Sequence, residues 1–79
     1  MFLHAYQDLT QIIILEEELS DDYYLESAYF FRALASSYLG KYQDVLSDCM
    51  YVRDDYVTHI LNKLQSKKDL VQHAKSHIN

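Results

Sequence analysis

The stretch that decides the fold is residues 32–49, RALASSYLGKYQDVLSDC. Apolar residues recur every three or four positions on both sides of Gly40, which is the spacing of helices that bury one face. Glycine is the residue best able to take the left-handed conformation just past a helix end, so Gly40 ends one helix and lets the chain turn back. The stretch therefore predicts an antiparallel hairpin of two helices.

Helical spacing also precedes this hairpin. Residues 2–18 predict a first amphipathic helix, and residues 23–39 predict a second helix that is apolar almost all round. Ser20, Asp21 and Asp22 are candidate N-terminal caps for the second helix. The chain has no proline and one glycine, which leaves little turn chemistry for a sheet. We therefore expect an all-α fold of antiparallel helix hairpins.

The third helix begins near Tyr42. Its predicted inward stripe comprises Tyr42, Val45, Leu46, Cys49 and Val52, and its predicted water-facing residues are Gln43, Asp44, Ser47 and Asp48.

The tail, residues 55–79, is expected to form one long helix. The apolar residues that define its seam follow one another mainly in steps of three and four: Val57, Ile60, Leu64, Val71, Ala74 and Ile78. The alternative is a pair of shorter helices near 55–65 and 67–77, separated at Ser66 and Asp69, which have the spacing of a capping box.

Length and charge limit the function classes. The chain of 79 residues is expected to be one domain, residues 1–79, with a thin core. Its net charge of −5 combines an acidic body with a tail that carries four of the lysines, which argues against nucleic-acid binding. A lone cysteine, no secretory signal and no long apolar run predict a cytoplasmic protein that does not insert into membranes.

An internal repeat occurs at an offset of 36, where Tyr6-Gln7-Asp8-Leu9 recurs as Tyr42-Gln43-Asp44-Val45. This offset is close to the period of tetratricopeptide repeats, and residues 32–49 resemble one repeat of that family. The residues that carry the resemblance are Ala33, Leu39, Gly40, Tyr42, Val45, Asp48 and Cys49. The departures are Ser36 in place of an aromatic residue, Val45 and Val52 in place of alanines, and the lack of a proline near Val57.

The resemblance implies a right-handed stack of about four helices, or roughly one and a half repeats. Residues 2–18 would be the second helix of an upstream repeat, residues 23–54 a whole repeat, and residues 55–79 a capping helix. Such a chain is expected to need a partner or self-association, or to be the C-terminal piece of a longer array.

The resemblance also implies a groove that binds a partner protein as a peptide or an amphipathic helix. The implied groove residues are Ser27, Phe30, Phe31, Leu34, Ser37 and Tyr38. Phe31 stands where the subgroup that clamps acidic tails has asparagine, so a carboxylate clamp is not expected. Phe30 and Phe31 are also interpretable as plain core residues. The alternative function is a structural homo-oligomer, such as a homodimer, joined through the tail seam or by exchange of helices.

No catalytic, cofactor-binding or metal-binding set stands out, and we expect no enzyme. His73 and His77 lie four residues apart on one helix face, but no Glu or Asp nearby in sequence completes a convincing metal site with them. Cys49 lies on the inward stripe of the third helix, where a free thiol is expected to act as a small buried hydrophobe.

Overall fold

A computed structural model of the chain describes residues 2–18 and 24–78. In chain order its elements are α1 (Phe2–Glu18), α2 (Leu25–Tyr38), α3 (Tyr42–Cys49), β1 (Val57–Ile60), β2 (Lys63–Ser66) and α4 (Lys67–Ser76). The prediction of a mainly helical chain is confirmed, and α1 has its predicted bounds. The expected caps at residues 20–22 lie outside the described residues.

The turn between α2 and α3 forms as residues 32–49 predict. Gly40 has φ of +76°, and its N–H donates to the Ser37 carbonyl while the Lys41 N–H donates to the Ser36 carbonyl at 2.8 Å. These two bonds make a Schellman motif, which satisfies carbonyls at the end of α2. The chain then reverses, so that Arg32 of α2 reaches Asp48 of α3.

The tail departs from both predicted forms. Residues 57–66 form an antiparallel β-hairpin, with His59 opposite Leu64 and Ile60 opposite Lys63, so the expectations of one long helix and of a helix over 55–65 are wrong. Leu61 and Asn62 have φ of +52° and +65°, the signs required by a two-residue type I′ turn. The all-α prediction therefore fails over these residues.

Ser66 is the N-cap at the start of the last helix, as the predicted capping box placed it. The Ser66 hydroxyl accepts a hydrogen bond from the Asp69 N–H at 3.1 Å, so α4 begins at Lys67 as the two-helix alternative expected. The tail seam does not form, however, because Val57 and Leu64 are exposed on the hairpin whereas Ala74 is buried in the chain's own core. The seam therefore offers no continuous helix face for a second chain.

The core is built around α2, which contacts α1, α3 and α4. Phe30, Val45 and Cys49 are its largest apolar side chains with almost no exposed surface. The inward stripe predicted for α3 is confirmed at Val45, Cys49 and Val52. Asp48, expected to face water, is instead buried because it pairs with Arg32.

Within residues 2–18 and 24–78, no helix is both long enough and apolar enough to cross a membrane.

Candidate binding surface

One face of α2 stays at the surface along most of the helix. Ser27, Phe31, Leu34 and Tyr38 are spaced by four, three and four residues, which places them in one row. The first three are half-buried, and Tyr38 is 68% exposed. At 1.5 Å per residue this row, the α2 stripe, extends over about 17 Å.

The other two residues of the predicted groove have different surroundings. Phe30 has 0% exposure, and its ring centroid lies 4.8 Å from that of Tyr56, so Phe30 is a core residue and not part of a surface. Ser37 is half-buried beside the α2 stripe, on the side of α4.

A groove of about 430 Å³ runs between α1 and the first half of the α2 stripe. Its lining residues are Leu9, Ile12, Leu15, Glu16, Tyr24, Ser27, Ala28 and Phe31. Ile12 and Leu15 are exposed here, on the helix that the sequence predicts to be amphipathic. This α1–α2 groove is apolar except for Glu16 and the hydroxyl groups at its margin, which suits aliphatic and aromatic side chains.

A second groove, of about 320 Å³, lies beside the other half of the α2 stripe. Its lining residues are Leu34, Ser37, Tyr38, Gln65, Asp69, Leu70 and His73. This α2–α4 groove is more polar than the first, with Asp69 and His73 on its α4 wall. Together the two grooves flank the α2 stripe at both of its ends.

Arg32 ties three helices together inside the molecule. Its Nε and Nη2 donate to the two carboxylate oxygens of Asp48 at 2.8 and 2.6 Å, and its Nη1 donates to the Thr10 hydroxyl at 3.3 Å. The hydrogen bonds to Asp48 raise the pKa of Arg32 despite partial burial. The guanidinium also lies over the rings of Tyr6 and Tyr29. Arg32 is therefore committed to the fold and is not placed to bind a carboxylate ligand.

One glutamate of α1, Glu17, and one of α2, Glu26, accept hydrogen bonds from other parts of the fold. The Tyr29 hydroxyl donates to Glu17 at 2.5 Å, and burial together with this bond raises the pKa of Tyr29 to about 12. Glu26 accepts from both the backbone N–H and the Nε of Arg53. Glu17 and Glu26 thus link elements of the fold.

The reactive side chains singled out in the sequence are Cys49, His73 and His77. Cys49 is buried, and this burial raises the pKa of its thiol to about 11, which disfavours the nucleophilic thiolate. His73 and His77 do share a face, with ring centroids 4.6 Å apart, and His77 stacks on Tyr42. No group of three or more potential metal ligands occurs in the part of the chain that the structure describes.

The residues outside α2 that line the two grooves were not predicted from the sequence. Ile12 and Leu15 belong to a helix with more apolar residues than one buried face can hold, since Ile13 takes the core position. That excess was the available signal for an exposed apolar surface on α1. Gln65 and Asp69 join the second groove only because the hairpin folds the chain back, and no local pattern marks them.

Comparison with known proteins identifies no relative: no family model, no curated protein and no solved structure matches the chain. Its function is therefore inferred from its own residues and geometry.

Proposed function

We propose that this chain is a protein-binding module that holds an amphipathic helix of a partner protein along the α2 stripe. The observation that carries the proposal is the row of Ser27, Phe31, Leu34 and Tyr38, with a groove at each end. Phe31 and Leu34 are half-buried and Tyr38 is exposed, and a partner's apolar side chains would remove their remaining apolar surface from water.

A helix fits this surface better than an extended strand. The α2 stripe is straight and about 17 Å long, which matches roughly three turns of a partner helix. Helix-in-groove recognition uses apolar side chains spaced by three and four residues, and the two grooves are placed to receive such side chains. An extended segment would instead be expected to pair with the open edges of the β-hairpin.

The tetratricopeptide-like arrangement of the first three helices is part of this proposal. The order of α1, α2 and α3 and the Gly40 turn support it, as does the reversal of direction between successive helices. The β-hairpin after α3 departs from that family, because it replaces the helix expected there. The resemblance then covers residues 2–54 and does not extend to the tail.

The test uses a synthetic amphipathic helix as the probe. In isotope-labelled protein, titration of the probe should shift the amide signals of Ser27, Phe31, Leu34 and Tyr38 before those of the hairpin. Ile12→Glu and Tyr38→Glu each place a charge in one groove, and each should weaken binding about tenfold or more, because about 1 to 2 kcal/mol of apolar burial is lost.

Met50→Glu is the matched control, since Met50 is 82% exposed and lines neither groove. Circular dichroism of each variant establishes that its helix content is intact. The proposal fails if Met50→Glu weakens binding as much as the two groove variants do. It also fails if light scattering shows a dimer that Tyr38→Glu dissociates, because a second copy would then cover the α2 stripe.

A further inference from the structure

Basic side chains of the described residues are absent from the linings of both grooves. All seven lysines and arginines lie within the described residues, and none of them lines the α1–α2 groove or the α2–α4 groove. Arg32 is held by Asp48, and Arg53 pairs with Glu26. Three of the four tail lysines, Lys67, Lys68 and Lys75, line a different cavity beside α4, together with Asp54 and Asp55. Lys67 pairs there with Asp54.

Each groove, by contrast, contains one carboxylate. Glu16 lies in the α1–α2 groove, where it also accepts the Tyr24 N–H at 3.2 Å. Asp69 lies in the α2–α4 groove, in the first turn of α4. Neither carboxylate forms an ion pair among the described residues. A helix seated on the α2 stripe would therefore have a negative charge beside each end of its apolar face.

We propose that the partner segment is a basic amphipathic helix, with Lys or Arg flanking the apolar side chains that enter the two grooves. This inference rests on the proposed function and specifies the chemistry of the partner. Complementary charges beside an apolar interface speed association and disfavour partners of the same sign. An acidic helix would meet Glu16 and Asp69 and also the net charge of −5.

The experiment compares two synthetic helical peptides of about 15 residues, roughly 22 Å long. Both carry the same leucines on one face, and the flanking positions are all lysine in one peptide and all glutamate in the other. Affinities are measured by calorimetry from about 0.05 M to about 0.5 M salt, over which the screening length falls several-fold. We expect the lysine peptide to bind on the order of tenfold more tightly at low salt, with the difference shrinking at high salt.

A pair of charge-matched variants locates the effect. Glu16→Gln combined with Asp69→Asn should remove most of the preference, whereas Asp44→Asn combined with Asp55→Asn should retain it. The control pair makes the same change in net charge but lies outside both grooves.

The outcomes separate this inference from the proposed function. Equal affinity for the two peptides overturns the basic-partner inference and leaves helix binding standing. A preference that survives in the Glu16 and Asp69 variant also overturns the inference, because the overall charge would then be its source. Failure of both peptides to bind the folded protein overturns the proposed function itself.

Discussion

Among the charged residues whose side chains reach the surface, Arg32 is the one whose replacement by alanine is expected to lower the free energy of unfolding most. The side chain of its partner Asp48 is only 7% exposed, so the substitution leaves a carboxylate buried without its cation. Removing one member of a buried ion pair costs roughly 3–5 kcal/mol. Arg32 itself is 18% exposed and water can reach the vacated space, so the lower end applies, about 3 kcal/mol. A chain of this length has a total stability of roughly 4–12 kcal/mol, which makes the loss a substantial fraction of it.

The assay is urea denaturation followed by far-ultraviolet circular dichroism, applied to Arg32→Ala, Asp48→Ala and the double variant. Because both single changes remove the same interaction, their costs should not add, and we expect a coupling energy of about 2 kcal/mol. Arg53→Ala is the matched control, because Arg53 and Glu26 form a more exposed pair that contributes less than about 1 kcal/mol. Additive costs, or equal losses for Arg32→Ala and Arg53→Ala, would refute the assignment of Arg32 as the central link between helices.

Two further predictions concern the turn of the hairpin and the behaviour at alkaline pH. Leu61→Asn should raise the free energy of unfolding by about 0.5–1 kcal/mol, because Leu61 is 91% exposed and holds a positive φ that asparagine tolerates better. A thermal melt that shows no rise in the midpoint would contradict this. The raised pKa of Tyr29 means that its neutral phenol stabilises the fold fully below pH 10.0 and that this contribution is lost as pH rises toward about 12. Tyr29→Phe should therefore show a smaller fall in stability over that range in urea titrations at each pH, and an unchanged slope would argue against the raised pKa of Tyr29.

The parts of the fold that could be predicted from sequence are those with local causes. Gly40 alone accounts for the turn between α2 and α3, because few other residues adopt its φ without strain. Ser66 marks the start of α4 through a hydrogen bond to a residue three positions away. Such signals act within one helical turn and need no knowledge of the tertiary structure.

The hairpin could not be predicted because its sequence pattern is compatible with a helix. Val57, Ile60 and Leu64 have helical spacing, and the turn places leucine at position 61, where asparagine or glycine would have signalled a type I′ turn. Only Asn62 carried that signal, in the less informative of the two positions. Burial of Asp48 was equally hidden, because its cause is Arg32, sixteen residues earlier in the chain.

The helix face that carries the candidate site could be predicted from the sequence, but the burial of each side chain on it could not. The resemblance to tetratricopeptide repeats implied Ser27, Phe31, Leu34 and Tyr38 as groove residues, and helical spacing places these four on one face of α2. The position of Phe30 in the core depends on Tyr56, which reaches α2 only when the tail folds back. The grooves themselves are formed by α1 and α4 and so required the complete fold.

The two faces of α2 explain how so small a chain can leave apolar residues outside. On one face, Arg32 of α2 bonds to Thr10 of α1 and to Asp48 of α3. These bonds form within the chain and do not require the remaining apolar surface to be covered. On the other face, Phe31 and Leu34 stay partly exposed between two grooves. Replacement of Arg32 by alanine should therefore destabilise the fold, whereas Ile12→Glu and Tyr38→Glu should spare the fold and weaken binding. That separation is what distinguishes a binding face from an incompletely buried core.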